Sequence, residues 1–159
     1  MNITVITLGK LKEKYLKDAV GEYAKRISPY GKLDIIELTP ARLSESPSPA
    51  EIESALAKES EEIKKKIPSG GYVFSLCIEG KQKSSEELAK AIHDITLNGK
   101  SNIVFIIGSS FGLSDEIKNL SDCKLSFSPM TFPHQLMRVM LLEQIYRAFQ
   151  INTNGKYHK

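Results

Sequence analysis

The sequence predicts an α/β protein, a mostly parallel β-sheet flanked by helices. Apolar runs such as ITVITLG (3–9), YVFSLCI (72–78) and NIVFII (102–107) are hydrophobic at nearly every position, as strands buried on both faces require. Between them, apolar residues recur at helical spacing, so strand and helix alternate along the chain. With 159 residues, no internal repeat and no low-complexity tail, the chain is expected to form one domain over 1–159 with a sizeable core.

The elements follow in order. The strand at 3–9 ends on Gly9, and Leu11, Tyr15, Leu16, Ala19, Val20, Tyr23 and Ile27 then keep a helical spacing over 11–27. KLDIIEL (32–38) reads as a second strand. The prolines and serines of the following 39–50 segment forbid regular structure, and this loop is expected to wrap the domain rather than divide it. A charged helix with Ile52, Leu56, Ile63 and Ile67 as its apolar positions must stop at Pro68. After the strand at 72–78, SSEELAKAIHDITL (84–97) opens with Ser84 and Glu87 at capping-box spacing. The fourth strand is 102–107 and the fifth is KLSFS (124–128). The terminal helix starts at Pro133, where a missing N–H costs nothing, and runs to 151.

Composition excludes several function classes. No apolar stretch approaches the roughly 18 residues of a membrane span, and the opening MNITVITLGK has neither the length nor the cleavage site of a secretory signal. A cytoplasmic protein with no membrane partner is expected. Cys77 and Cys123 have no metal-site spacing, so no metal is expected and both read as buried thiols. Charge is unevenly spread. Residues 1–32 hold seven Lys and Arg against three Asp and Glu, 33–123 hold ten against fifteen, and 124–159 hold five against one. Basic ends around an acidic middle fit a polyanionic partner, and equally fit ordinary solvated lysine faces.

The terminal helix adds a clue about assembly. Arg138 and Arg147 lie about 180° apart around it at 100° per residue. Leu136, Val139, Met140, Leu141, Leu142, Ile145, Tyr146 and Phe149 fill both arcs between them. A helix apolar on two sides must be covered on two sides. One cover is its own sheet; a second copy of the chain, in a homodimer, is the expected other.

Ligands of open α/β sheets bind at the carboxyl ends of the strands. After the fourth strand comes IIGSSFGLSDE (106–116), in which Gly108 permits close backbone approach and Gly112 a tight turn. No Gly-Lys-Ser/Thr follows, so a nucleoside triphosphate is not expected. After the fifth strand comes FSPMTFPH (127–134). Pro129 and Pro133 rigidify it, Ser128 and Thr131 offer hydroxyls, and Phe127, Met130 and Phe132 offer apolar or sulfur contact to a flat ring. A rigid, mostly neutral pocket suits an adenosine-like ligand.

The Gly108-x-x-x-Gly112 loop after a strand, the segment LSFSPMTFPHQLMRVMLLEQIYRAF (125–149) and the closing YHK resemble the SPOUT superfamily of S-adenosyl-L-methionine-dependent RNA methyltransferases. GKLKEKY (9–15) and EYAKRISPY (22–30) extend the resemblance over the whole chain. Within the superfamily the sequence is similar to small bacterial enzymes that methylate N3 of a pseudouridine in large-subunit (23S) ribosomal RNA. The resemblance implies a C-terminal trefoil knot, otherwise close to forbidden by topology rules, and a homodimer. It implies cofactor contacts at Leu76, Gly108, Phe127, Ser128, Pro129, Met130, Thr131 and Phe132. Such proteins usually carry Gly-Gly where this chain has Gly108-Ser109, so Ser109 would be strained if that position needs a positive φ.

The N3 imide is protonated at neutral pH, so a base or an anion-stabilising group is wanted. His158 and His134 are the candidates. His134 sits in the first turn of the terminal helix, where the dipole disfavours imidazolium, and fits a capping or packing role equally well. The 157–159 tail could simply fray; the resemblance instead lays Tyr157, His158 and Lys159 of one subunit over the cofactor, where they meet the target base. Arg147 could stabilise the imide anion or grip phosphate, oriented by Glu143 four residues earlier, and the same pair could be a plain helix-face salt bridge. Arg138, Lys159, Lys10, Lys12 and Lys14 are the expected RNA contacts, and an assembled ribosome is the expected form of the substrate. A non-catalytic RNA- or ribosome-binding protein on the same fold is one alternative, which would need no cofactor pocket. A flavodoxin-like nucleotide or flavin module is another.

Overall fold

A computed structural model describes residues 1–159. Five strands, β1 (Asn2–Leu8), β2 (Lys32–Leu38), β3 (Tyr72–Gln82), β4 (Asn102–Ile107) and β5 (Cys123–Ser126), form one sheet in the order β2-β1-β4-β3-β5. All four pairings are parallel. That order differs from the flavodoxin order 2-1-3-4-5, so the flavodoxin-like alternative fails on topology.

The central strands read as continuous apolar runs because both faces are covered. Ile3, Val5, Ile103, Phe105 and Phe74 face one cluster, packed by α1 (Lys14–Ile27), α3 (Ser85–Leu97) and α5 (His134–Asn152). Ile6, Leu8, Val104, Ile106 and Val73 face the other, under α2 (Pro49–Lys66) and α4 (Asp115–Leu120). Phe74 and Phe105 stack across β3 and β4 with centroids 4.9 Å apart, an offset contact stronger than its area alone suggests.

Helix starts follow their caps. Ser48 and Ser84 each close a full capping box, with Glu51 and Glu87. Helix α1 begins at Lys14 rather than 11, leaving 9–13 as a strap, and Tyr15 is 68% exposed instead of joining the apolar face. Strand β3 continues to Gln82 because its pairing with β5 resumes after a break: Leu125 faces both Leu76 and Lys81, and the residues between bulge outward. Helix α4, absent from the sequence reading, is a single capped stretch behind Ser114, whose hydroxyl accepts from the Ile117 N–H. Cys77 and Cys123 are half-buried free thiols rather than core residues. No helix is long and apolar enough to cross a membrane.

Candidate functional site

The carboxyl ends of β3, β4 and β5 converge, and the segments leaving them enclose a cavity of about 730 Å³, within the usual range of small-molecule sites. The β3 bulge gives one wall, the 108–113 connection a second, and 125–134 a third, closed by Met137 from the first turn of α5. Of the residues expected to hold a cofactor, Leu76, Gly108, Phe127, Ser128, Met130, Thr131 and Phe132 line this cavity, and Pro129 does not.

Local chemistry explains the walls. Ser128 accepts the Met130 N–H on its hydroxyl at 3.0 Å and, through its carbonyl, the Ser126 hydroxyl at 3.1 Å, a side-chain-closed turn with Pro129 inside it. A Cβ on Gly108 would run into the Gly112 carbonyl, so only glycine lets the 108–112 loop close. Ser109 is not strained: Asn154 is the only non-glycine residue with positive φ. The Ser109 hydroxyl instead donates to the Glu59 carboxylate at 3.0 Å.

The cavity is electrostatically quiet. Its Lys118 and Glu79 form a 2.5 Å ion pair, and the Lys118 hydrogen bond holds the Glu79 carboxyl below its ordinary range. Burial pushes the Cys77 thiol up, away from thiolate chemistry. His134, the one predicted acid–base residue on this wall, is held below the usual imidazole range by burial, then by the charges of Arg138 and Lys12. Lys118 escaped the sequence reading, since it lies on α4, the short helix that the hydrophobic period did not reveal.

The other predicted catalytic residues gather elsewhere. Arg147 donates from Nε to Glu143 Oε1 at 3.0 Å, and the Tyr157 hydroxyl donates to the same oxygen at 3.0 Å. Arg147 Nη1 donates to His158 Nδ1 at 3.1 Å. A guanidinium cannot accept, so the His158 proton lies on Nε2, which donates to Glu86 Oε1 at 2.8 Å. That bond holds the Glu86 carboxyl below its ordinary range, and Glu143 holds Arg147 above its own. Burial, then the Glu143 bond, pushes the Tyr157 phenol up to about 12. The Arg147 guanidinium also lies 4.7 Å from the Tyr157 ring centroid. None of these four residues lines the 730 Å³ cavity. Beside them runs a groove of about 530 Å³ with Tyr23, Leu88, Val139, Met140 and Glu143 on its walls, and Leu125 and Phe127 separate the two spaces.

The RNA candidates divide. Lys10, Lys12, Lys14 and Lys159 are exposed. Arg138 is not a surface cation: it is 1% exposed, with Nη1 donating to Glu37 at 2.7 Å and Nη2 to the Gly9 carbonyl at 3.0 Å. It faces the core because that arc of α5 packs under the sheet edge, and Glu37 answers its charge. The same Glu37 carboxylate accepts the Leu11 N–H, and Gln135 accepts the Lys12 N–H. Arg138 therefore pins the basic strap instead of touching phosphate.

Fold and cavity together define an α/β protein with a cavity of small-molecule size on three adjacent parallel strand ends. A family model described as "Predicted SPOUT methyltransferase" matches residues 1–158. The chain belongs to the SPOUT methyltransferase family. It is 52% identical to "Ribosomal RNA large subunit methyltransferase H" of Clostridioides difficile, with the whole of both chains aligned. It is 58% identical, again over all of both chains, to "Putative ribosomal RNA large subunit methyltransferase H" of Methanococcus maripaludis, and 56% to the Methanococcus vannielii protein of the same name. A solved structure of "a probable methylase family protein from Haemophilus influenzae Rd KW20" superposes with a TM-score of 0.51, covering 99% of this chain and 70% of that one. At 15% identity that likeness shows the fold alone.

Proposed function

We propose that this protein transfers the methyl group of S-adenosyl-L-methionine to N3 of a pseudouridine in large-subunit (23S) ribosomal RNA, working as a cytoplasmic homodimer on the assembled ribosome. The observation that carries the reading is the neutral cavity on the β3, β4 and β5 ends, in a chain that aligns end to end with ribosomal RNA methyltransferases. A non-catalytic RNA-binding protein would need no such cavity.

The cofactor supplies an activated methyl on a sulfonium. Leu76, Gly108 and the 127–132 turn, Pro129 included, would hold it, with backbone groups and the Ser128 and Thr131 hydroxyls for the polar edge of an adenosine and Phe127, Met130 and Phe132 for its ring. What remains to the protein is orientation, worth on the order of 7–11 kcal/mol of barrier, and removal of the N3 proton. In this protomer His158 has no free lone pair, because Nδ1 accepts from Arg147 and Nε2 carries the proton toward Glu86. Its action as a base requires the tail to leave Glu86 and meet the RNA over the partner's cavity, with Tyr157 beside it and Arg147, held by Glu143, facing the developing anion. The partly exposed Leu136, Val139 and Met140 on α5 support a second copy as the cover. The C-terminal trefoil knot of the family is part of this reading. His134 faces the cavity itself and is the alternative proton acceptor.

Calorimetric titration with S-adenosylmethionine, beside the Gly108→Trp variant, tests the reading. Micromolar binding to the wild type that the variant loses is expected; no binding by folded, dimeric wild type would overturn it. Methyl incorporation from labelled cofactor into ribosomes, compared with naked RNA, then tests the substrate.

A further inference from the structure

Glu59 lies inside α2, a helix that contributes no residue to the cavity wall, and is 6% exposed. A carboxylate withdrawn from water persists only where its oxygens are answered. Here the two oxygens serve two irregular segments. Oε1 accepts the Ser109 hydroxyl at 3.0 Å, and Oε2 accepts the Ala41 N–H at 3.0 Å. Ser109 is part of the cavity wall, next to Gly108. Ala41 belongs to the connection between β2 and α2, which has no regular structure. The next residue of α2 repeats the pattern: the Ser60 hydroxyl meets that of Ser114, the N-cap of α4, at 2.5 Å. Helix α2 thus grips both ends of the 109–114 connection.

We propose that Glu59 is a positioning residue for the cofactor site. Through Ser109 it fixes the 108–112 loop in its cavity-lining shape, and through Ala41 it ties that shape to the 39–48 segment. The inference rests on the reading of the cavity as the S-adenosylmethionine site. A loop bounded by Gly108 and Gly112 has much backbone freedom to lose when a ligand orders it. Anchoring one atom between the two glycines removes part of that loss before binding. Serine at this position thereby acts as an anchor, at a φ that involves no strain.

The test is cofactor titration of the wild type, Ser109→Ala, Glu59→Gln, Glu59→Ala and the double variant Glu59→Ala/Ser109→Ala, with amide hydrogen exchange of residues 108–113 in the cofactor-free proteins. Ser109→Ala removes one hydroxyl at the cavity wall and leaves the core intact. It should weaken S-adenosylmethionine binding by about tenfold, the equivalent of one charge-assisted hydrogen bond, and speed exchange in the loop. Glu59→Gln should bind within about twofold of wild type, because the amide oxygen can serve Ala41 while the amide N–H donates to a reversed Ser109 hydroxyl. Glu59→Ala should match Ser109→Ala, and the double variant should be little weaker than either single one, since the two act as one unit. Wild-type affinity and unchanged loop exchange in Ser109→Ala would overturn the inference whatever the fate of Glu59→Ala. So would multiplicative losses in the double variant. Failure of the wild type to bind at all would instead strike the cofactor reading itself.

Discussion

A guanidinium at 1% exposure must have its charge answered nearby, and at Arg138 the Glu37 carboxylate and the Gly9 carbonyl do so. Replacing Arg138 with Met strands Glu37 and releases the strap. Glu37 keeps a side-chain exposure of 35%, so water screens the orphaned charge and the expected loss is about 2 kcal/mol, below the 3–5 of a fully buried pair. Urea unfolding checks this through the shift in midpoint at constant slope. Titration gives two further expectations at the residue scale. The folded state raises the Tyr157 pKa to about 12 from its ordinary 10. The folded chain then holds a proton that the unfolded chain releases, so this contribution is full below pH 10 and disappears as pH rises through about 12. Tyr157→Phe should flatten that alkaline decline in thermal melts. His134 shifts the other way, below the imidazole value of 6.5. The unfolded chain takes up its proton first as pH falls below 6.5, so stability drops there until the folded histidine is protonated too. Melts at pH 7.5 and pH 5 should differ less for His134→Gln than for the wild type.

At the scale of elements, hydrophobic period and caps were readable wherever one helix or strand answers to its own sequence. NIVFII became β4 over Asn102–Ile107, and the Ser84–Glu87 box opened α3 as expected. What stayed hidden depends on pairing across long separations. The β3 bulge exists because Leu125, on β5, pairs with both Leu76 and Lys81, and Arg138 is buried because Glu37 lies on β2. The cavity's strand-end walls were legible because glycines and prolines constrain the backbone locally; Glu59, on a charged helix, gave no local sign of its bond to Ser109. The helical period also drew Tyr15 inward, whereas α1 starts later and turns it to solvent. Both apolar arcs of α5 were readable, and the structure divides them. Leu141, Leu142, Ile145 and Phe149 are buried, while Leu136 is 41% exposed beside half-buried Val139 and Met140. If that strip is the dimer face, Leu136→Asp with Met140→Asp should give a folded monomer in sedimentation velocity, with helical circular dichroism retained. A dimer that survives both charges would place the interface elsewhere.

Over the whole molecule the two basic ends come together in space although they are separated by an acidic middle. The Gly9–Lys12 strap is hydrogen-bonded to the start of α5 through Arg138 and Gln135, and His134 on the same turn lines the cavity. Lys10 and Lys12 are therefore held near the cavity mouth with no acidic partner of their own, whereas Lys14 is paired with Asp18 at 2.6 Å. Strap lysines without a partner are the ones free to displace counterions from RNA phosphate. Each such contact contributes about 0.7–0.9 to the slope of log K against log salt. If both lysines grip phosphate, Lys10→Ala with Lys12→Ala should lower that slope by about 1.5 in filter binding to large ribosomal subunits. Lys14→Ala should change it little, because Asp18 already compensates the charge. Calorimetric affinity for S-adenosylmethionine should be unaffected in both variants, since none of these lysines lines the cavity. A slope unchanged in the double variant would move the RNA-gripping face away from the strap, and an altered cofactor affinity would mean that the strap shapes the cavity as well.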